Sequence, residues 1–433
     1  MNNDNISERL NTNKVSTWLA DNIVSLIFVA FTLFGFLVSD GVTMNFFLTE
    51  LSSRFFRNAF LVLSLIIPVV AGLGLNFGIV VGAMAGQIAI AIVLYFGWGG
   101  LNGLLLTMLI ALPIATLFGY LTGILYNKTR GQEMIASLMV GYFANGIYQF
   151  LFLFVVGVII KVPKNHPMIK PDGVGVRMTV DMGAYDKGGL KYALDKIWEI
   201  PFMWAILAVF AAILLLQVWK IIRNKKNPVL YRYNKTMIVI NIILSLVMIA
   251  ISVQAITTDS SLMIVRKVPV FTGLLIVALC IFNELILKTK LGQDFRSVGQ
   301  SQHIAEVSGI NVDKTRIIAT IMSTVFAAWG QIMYLQNMGT LNTYGAHMQI
   351  GLFSVAALLV GGASTQKAGV KHAIFGTLLF NSMFIMSPEI GLSLFGNALL
   401  GEYFRTFMVY GVIGLALGLH VWRTNKKGKV TLN

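Results

Sequence analysis

Apolar stretches of about twenty residues recur along this chain, and they constrain its fold more than any other feature. A helix rises about 1.5 Å per residue, so roughly 20 apolar residues cross the ~30 Å hydrocarbon layer of a bilayer. Inside that layer no water is available to backbone N–H and C=O groups, so each stretch must close its hydrogen bonds internally, as a helix. Candidate spans fall at 18–38, 59–76, 78–96, 102–126, 133–159, 202–222, 236–255, 270–288, 316–337, 345–362, 370–388 and 403–422. The expectation is an all-α, polytopic integral membrane protein with about 10–12 transmembrane helices, one or two of them broken or re-entrant.

Composition agrees. Only 12% of the 433 residues are charged and 56% are hydrophobic, where an average soluble domain carries about 25% charged residues. The net charge of +15 does not call for nucleic acid, because the basic residues cluster between the apolar stretches, as in cytoplasmic loops beside anionic lipid. The single cysteine, Cys280, sits within an apolar run and excludes an intramolecular disulfide or a cysteine-based zinc site. His166, His303, His347, His372 and His420 have no metal-binding spacing and are expected in loops or near span ends.

The basic residues also orient the chain. Lys220, Arg223, Lys225, Lys226, Arg232 and Lys235 follow the 202–222 span, and Arg423, Lys426, Lys427 and Lys429 follow the last one. Both groups read as cytoplasmic, and counting back across the spans places the N-terminus inside as well. The polar segment Met1 to Lys14 lacks the order of a cleaved signal peptide, so the first span is expected to be retained. The segment 161–200 then falls outside; with seven basic and five acidic residues it runs against the charge rule, which weakens for longer loops. An irregular loop with one short helix near Tyr192–Trp198 is expected there. The chain reads as one transmembrane domain, 1–433, with this external loop, a helix pair at about 202–255 and a cytoplasmic loop at about 288–316.

That cytoplasmic loop is the most informative segment. Ile304, Ala305, Val307 and Ile310 make a short apolar face, with Ser301 placed to cap the helix and Gly309 to end it. A lipid-surface helix would carry Lys and Arg on its polar face; this one does not, which favours docking on a soluble partner. Gly72, Gly74 and Gly78 follow Pro68 and predict a helix break, and Gly82, Gly86, Gly119 and Gly123 suit close helix packing or an unwound path.

The run Leu291-Gly292, Arg296-Ser-Val-Gly299, Ala305-Glu-Val-Ser-Gly-Ile-Asn-Val312 and Lys314 resembles the signature loop of the branched-chain amino acid and simple-sugar permease family of ABC importers. Leu359-Val-Gly-Gly-Ala-Ser364, Gly369 and Ile374-Phe-Gly-Thr-Leu378 resemble that family's glycine pattern downstream. The likeness runs from about Leu287 to Arg423; Gly72 to Gly78 and Gly82 to Gln87 are similar more loosely. The chain departs from the family in its extra length at 161–255 and in Glu306, where alanine is common.

The resemblance implies a type II-like ABC importer permease. Arg296, Gly299, Ser301, Ala305, Glu306, Ser308, Gly309 and Ile310 would form the loop that couples to a cytoplasmic ABC ATPase. It further implies a second permease subunit, the same chain or a related one, and an extracytoplasmic solute-binding protein, at the plasma (inner) membrane of a prokaryote. The chain has no G-x-x-x-x-G-K-[ST], and Gly361 to Lys367 has the wrong spacing for one, so ATP and Mg belong to the partner and no cofactor is expected on this chain.

Polar residues inside spans face a cavity or another helix. Asn76, Gln87, Asn145, Gln149, Gln331 and Asn381 are the candidates for a solute path, Asn76 and Gln87 foremost. Amides donate and accept, which suits a neutral polar solute. The family resemblance makes a simple sugar the first expectation, since Ser308 to Val312 and Gly361 to Ser364 look most like its sugar members, with nucleosides and branched-chain amino acids as alternatives. A stand-alone secondary transporter would need buried carboxylates or inverted repeats; Glu133 and Glu402 both read as interfacial. An intramembrane enzyme would need paired catalytic groups within spans, which the pattern does not offer.

Overall fold

The computed structural model describes residues 22–39, 41–163, 166–170, 174–183, 189–226, 235–258, 262 and 265–430. The N-terminal segment before residue 22 and Arg232 therefore lie outside the described residues. The first helices are α1 (Asn22–Val38), α2 (Met44–Leu63), α3 (Ile66–Val70), α4 (Ile79–Tyr95), α5 (Gly100–Lys128) and α6 (Glu133–Phe150). A π-helical turn (Leu151–Val155) carries α6 into the single turn α7 (Val156–Val158). Then come α8 (Phe202–Lys226), α9 (Lys235–Thr257), α10 (Val270–Ile286), α11 (Lys290–Gln300) and α12 (Gln302–Val307). The chain finishes with α13 (Val312–Met338), α14 (Ile350–Val360), α15 (Val370–Phe395) and α16 (Ala398–Val430). Two small antiparallel ribbons pair β1 (Thr179–Asp181) with β4 (Thr340–Asn342), and β2 (Glu199–Ile200) with β3 (Val268–Pro269).

The protein is an all-α, multi-pass membrane protein, as the apolar stretches predict. Among the described residues seven helices are long and apolar enough to span, or eight if α10 and α11, bent by 74°, are counted as one broken span. The shorter apolar helices α1, α4 and α14 occupy three more of the twelve expected spans, and α16 occupies the last. Two boundaries are corrected. The stretch expected at 59–76 begins at Met44, as a 27-residue run from Met44 to Val70. Hydropathy hid its first half because Glu50 and Arg54 sit there, but they pair at 3.2 Å within one helix face. The 345–362 stretch is helical only over Ile350–Val360, behind an irregular lead-in; that helix is too short to cross a ~30 Å hydrocarbon layer by itself.

α13 is the axis of the bundle. Asn311 caps it, accepting from Lys314 N at 2.9 Å, and Gly339 ends it with φ of 75°. Glycines bring its neighbours onto its backbone: a Cβ on Gly86 of α4 would lie 2.6 Å from Ala328 O, and one on Gly119 of α5 would lie 2.8 Å from Ile321 Cα. With lipid as apolar as any side chain, such close packing is what holds helices together. The helix pair α8–α9 is the opposite case: only 6% and 17% of their most apolar windows are buried. The two pack chiefly on each other.

The 161–200 segment contains the expected short helix, a 3-10 turn at Asp195–Ile197. It also supplies β1 and β2, which were not anticipated, and buries Val176, Met182, Leu190 and Leu194 against the bundle. Both ribbons lie at one end of the molecule. The loop helices α11 and α12 lie at the other, beside the turn between α5 and α6.

Candidate functional site

The loop helices are set by local sequence. Thr289 caps α11 through Gly292 N at 3.3 Å, and Ser301 caps α12 through Ile304 N at 3.3 Å. Gly309, with φ of 81°, ends α12, and Ile310 N closes back on Ala305 O at 3.0 Å. Phe295 and Val298, three residues apart on one face of α11, are buried; Phe295 packs among Ile67, Leu73, Tyr126 and Ala319. Ala305, Val298, Val312 and Ile310 form a small cluster under α12. The apolar face expected on α12 is thus split. Ala305 faces the bundle, whereas Ile304 and Val307 point outward, 66% and 78% exposed. Arg296, Glu306 and Ser308 are also exposed, and Ser308 Oγ donates to Ile304 O at 2.8 Å.

Three contacts tie this loop to the helices. Gly72, with φ of 75°, opens the break between α3 and α4, and a Cβ there would come within 2.7 Å of Gly299 Cα. The predicted break therefore seats directly on α11, and both glycines are needed for that approach. Arg130, in the α5–α6 turn, donates to Glu306 at 3.1 Å and to Asp313 at 2.7 Å. Deeper in, Arg316 of α13 is fully buried and donates to Glu133 at 2.5 Å and to Tyr126 O at 3.0 Å. Glu133 is the first residue of α6, at a span start as expected, but it is buried by its pairing with Arg316 of α13.

At the ribbon end, a cavity of about 540 Å³ lies between α2, α13, α14 and α15. Its size is that of a small-ligand site. α2 contributes Arg54, Arg57 and Asn58, α13 contributes Tyr334, and Asn342 and Asn381 add amides. The Arg57 guanidinium carbon lies 5.8 Å from the Tyr334 ring centre, and Asn58 Nδ2 donates to Asn381 Oδ1 at 3.3 Å. The three α2 residues escaped sequence reading because they were placed in a loop before residue 59. A signal was present: Glu50, Arg54, Arg57 and Asn58 recur at spacings of three and four within an apolar stretch, which puts them on one helix face.

Of the six path candidates, Asn381 alone lines this cavity. Asn76 Oδ1 accepts from Tyr126 Oη at 2.8 Å and from Gly78 N at 2.9 Å, so it closes the lead-in to α4. Gln331 is buried within α13, and neither end of its amide has a hydrogen-bond partner among the described residues. Gln87, Asn145 and Gln149 come together around His347, which lies in the turn before α14, as expected, but is fully buried. His347 Nδ1 lies 2.8 Å from Gln87 Oε1 and its Nε2 lies 2.8 Å from Asn145 Oδ1, while Gln149 Nε2 donates to Asn145 at 3.3 Å. The irregular lead-in to α14 turns the ring inward, which span-by-span reading did not foresee.

Comparison with known proteins covers both ends of this arrangement. A 166-residue stretch is 30% identical to the probable ABC transporter permease protein YphD of Escherichia coli, covering 37% of this chain and 47% of that one. A 165-residue stretch is 31% identical to the xylose transport system permease protein XylH of Haemophilus influenzae, covering 37% and 41%. A 92-residue stretch is 34% identical to the guanosine ABC transporter permease protein NupQ of Bacillus subtilis, covering 21% and 29%. The matches thus span less than half the length of these curated relatives. No solved structure matches. The sequence profile of one family matches residues 173–417, more than half of the chain and every element from the loop helices to the cavity walls on α13, α14 and α15. The chain belongs to the family described as the permease component of branched-chain amino acid transport systems.

Proposed function

We propose that this chain is the transmembrane subunit of an ATP-driven importer, in which α11 and α12 dock on a cytoplasmic ABC ATPase and the cavity admits a small polar solute from the other side. The observation that carries the reading is the loop itself. Ile304 and Val307 are apolar and exposed on a capped helix at one end of the bundle, where a groove on a soluble partner would cover them. Lys128, Arg130, Lys288, Lys290, Arg296 and Lys314 share that end, which supports a cytoplasmic position for it and, by the count of spans, for both termini.

The coupling follows from the contacts. Movement of α11 presses on Gly72 through Gly299, and α3 continues back into α2, which carries Arg54, Arg57 and Asn58 at the cavity. α13 makes the same journey, from Val312 beneath α12 to Tyr334 at the cavity. A displacement of the loop helices therefore reaches the solute site through two continuous helical paths, and ATP-driven closure would switch the cavity between outward- and inward-facing states. Asn381 and the chain Gln149–Asn145–His347–Gln87 supply polar groups along the way. ATP and Mg act on the partner ATPase. A second permease subunit, an extracytoplasmic binding protein and the plasma membrane of a prokaryote complete the reading. The relatives named for xylose and guanosine support a sugar or a nucleoside as the solute.

Affinity purification of the tagged chain from its native membrane tests this. A Walker-motif ATPase should co-purify, and removing residues 301–309 should release it while the protein still inserts. A stable particle that lacks an ATPase and drives uptake without ATP would contradict the proposal.

A further inference from the structure

We infer that Arg57 is the solute-recognising donor of the cavity, and that Asp195, on the 161–200 segment, positions it through Asn337. The inference rests on reading the cavity as the solute's site.

Asp195 is 3% exposed, although it belongs to a connecting segment. Its Oδ1 accepts from Thr272 Oγ1 at 2.7 Å and from Gln336 Nε2 at 2.9 Å; its Oδ2 accepts from Asn337 Nδ2 at 2.6 Å. Gln336 in turn holds the segment's backbone, accepting from Leu194 N at its side chain (3.3 Å) and from Tyr192 N at its carbonyl (2.9 Å). A buried carboxylate satisfied by three neutral donors is costly to maintain. A segment with a merely covering role has no need of one.

The consequence lies one residue further on. A carboxylate only accepts, so it dictates which end of the Asn337 amide faces it: the NH2 must, and the oxygen must point away. That oxygen receives Arg57 Nε at 2.9 Å. Arg57 Nη2 reaches Ser53 Oγ at 3.4 Å, and the guanidinium carbon stands 5.8 Å from the Tyr334 ring centre. The fork is thus gripped along one side and oriented at the cavity wall. Among the described residues Arg57 has no ion-pair partner, whereas Arg54 beside it is paired with Glu50. Arg57 is therefore the wall's uncommitted cation. Around it stand Asn58, Asn342 and Asn381, with Phe353 and Phe384 on the apolar side. This wall fits a compact solute with one apolar face and an adjacent pair of oxygen acceptors, which a guanidinium reads with two parallel N–H groups. Vicinal hydroxyls, a ring carbonyl edge and a carboxylate all present such a pair.

The test uses the full-length protein in nanodiscs, with xylose, guanosine and xylonate as probes. Binding is read by titration, and folding by the melting temperature without probe. The wild type should bind at least one probe. Arg57→Lys, which keeps the charge but loses the fork, should weaken that binding by about tenfold or more. Asp195→Asn and Asn337→Ala should weaken it in the wild-type background and add nothing further in Arg57→Ala. Wild-type affinity in Arg57→Lys would overturn reading by the fork, and wild-type affinity in Arg57→Ala would overturn the recognising role. Asp195 and Asn337 effects that persist undiminished in Arg57→Ala would overturn the positioning role. A folded wild type that binds none of the three probes, yet co-purifies with its ATPase, would overturn the solute class while leaving the importer reading standing.

Discussion

α13 and the α8–α9 pair are both strongly apolar, yet they sit at opposite extremes of the molecule. The most apolar window of α13 has a mean hydropathy of 1.4 and is 56% buried; that of α8 reaches 2.4 and is 6% buried. The less apolar helix is the more buried one. In water this would be backwards, but in a bilayer lipid serves apolar side chains as well as protein does. Burial is decided instead by small residues that let backbones meet and by polar groups that need partners. α13 has both: Gly82, Gly86, Gly119 and Gly123 on its neighbours, and Arg316, Thr320 and Thr324 on itself. α8 and α9 present Leu215, Leu216, Ile243 and Leu246 outward instead.

The sharpest way to break this comparison is at the buried ion pair. Arg316→Ala leaves Glu133 buried without its cation and should cost about 3–5 kcal/mol, read as a fall in melting temperature in nanodiscs. Next come matched truncations in two helices. Leu63→Ala, at a fully buried site, should cost about 2–5 kcal/mol. Leu215→Ala, at a site 67% exposed, should stay within about 0.5 kcal/mol. A large cost at Leu215 would mean that a partner covers α8 and α9. A smaller effect is expected from the helix cap: Ser301→Ala should destabilise α12 by about 0.5–2 kcal/mol, seen as faster hydrogen exchange confined to 301–309. Arg130→Ala should also cost little stability, because its ion pairs are exposed and should contribute under about 1 kcal/mol. Its larger consequence should be functional, as a lowered uptake rate per ATP hydrolysed.

The sequence revealed these regions unequally. The spans were legible because lipid imposes length and apolarity residue by residue, and the α12 cap and stop were legible because Ser301 and Gly309 act locally. The start of α2 was hidden because its polar residues pair within the helix and line a cavity, so their average apolarity is low where a span is expected. Asn76 and Gln87 were legible as amides within spans, but their hydrogen-bond partners, Tyr126 and His347, come from distant parts of the chain and only the fold brings them together. The Arg316–Glu133 pair and the Asp195–Asn337–Arg57 chain join residues 183, 142 and 280 positions apart, a separation that no local pattern encodes.

The central claim is that α11 and α12 carry the work of ATP to the cavity through the Gly72–Gly299 contact. Reconstituting the complex in liposomes with Gly299→Ala tests it most directly, with ATP hydrolysis and solute uptake measured together. The added methyl meets the backbone of α3, so the account predicts an assembled complex that still hydrolyses ATP while uptake falls away. Uptake that tracks hydrolysis as in the wild type would contradict the claim and leave α13 as the path from the loop to the solute site.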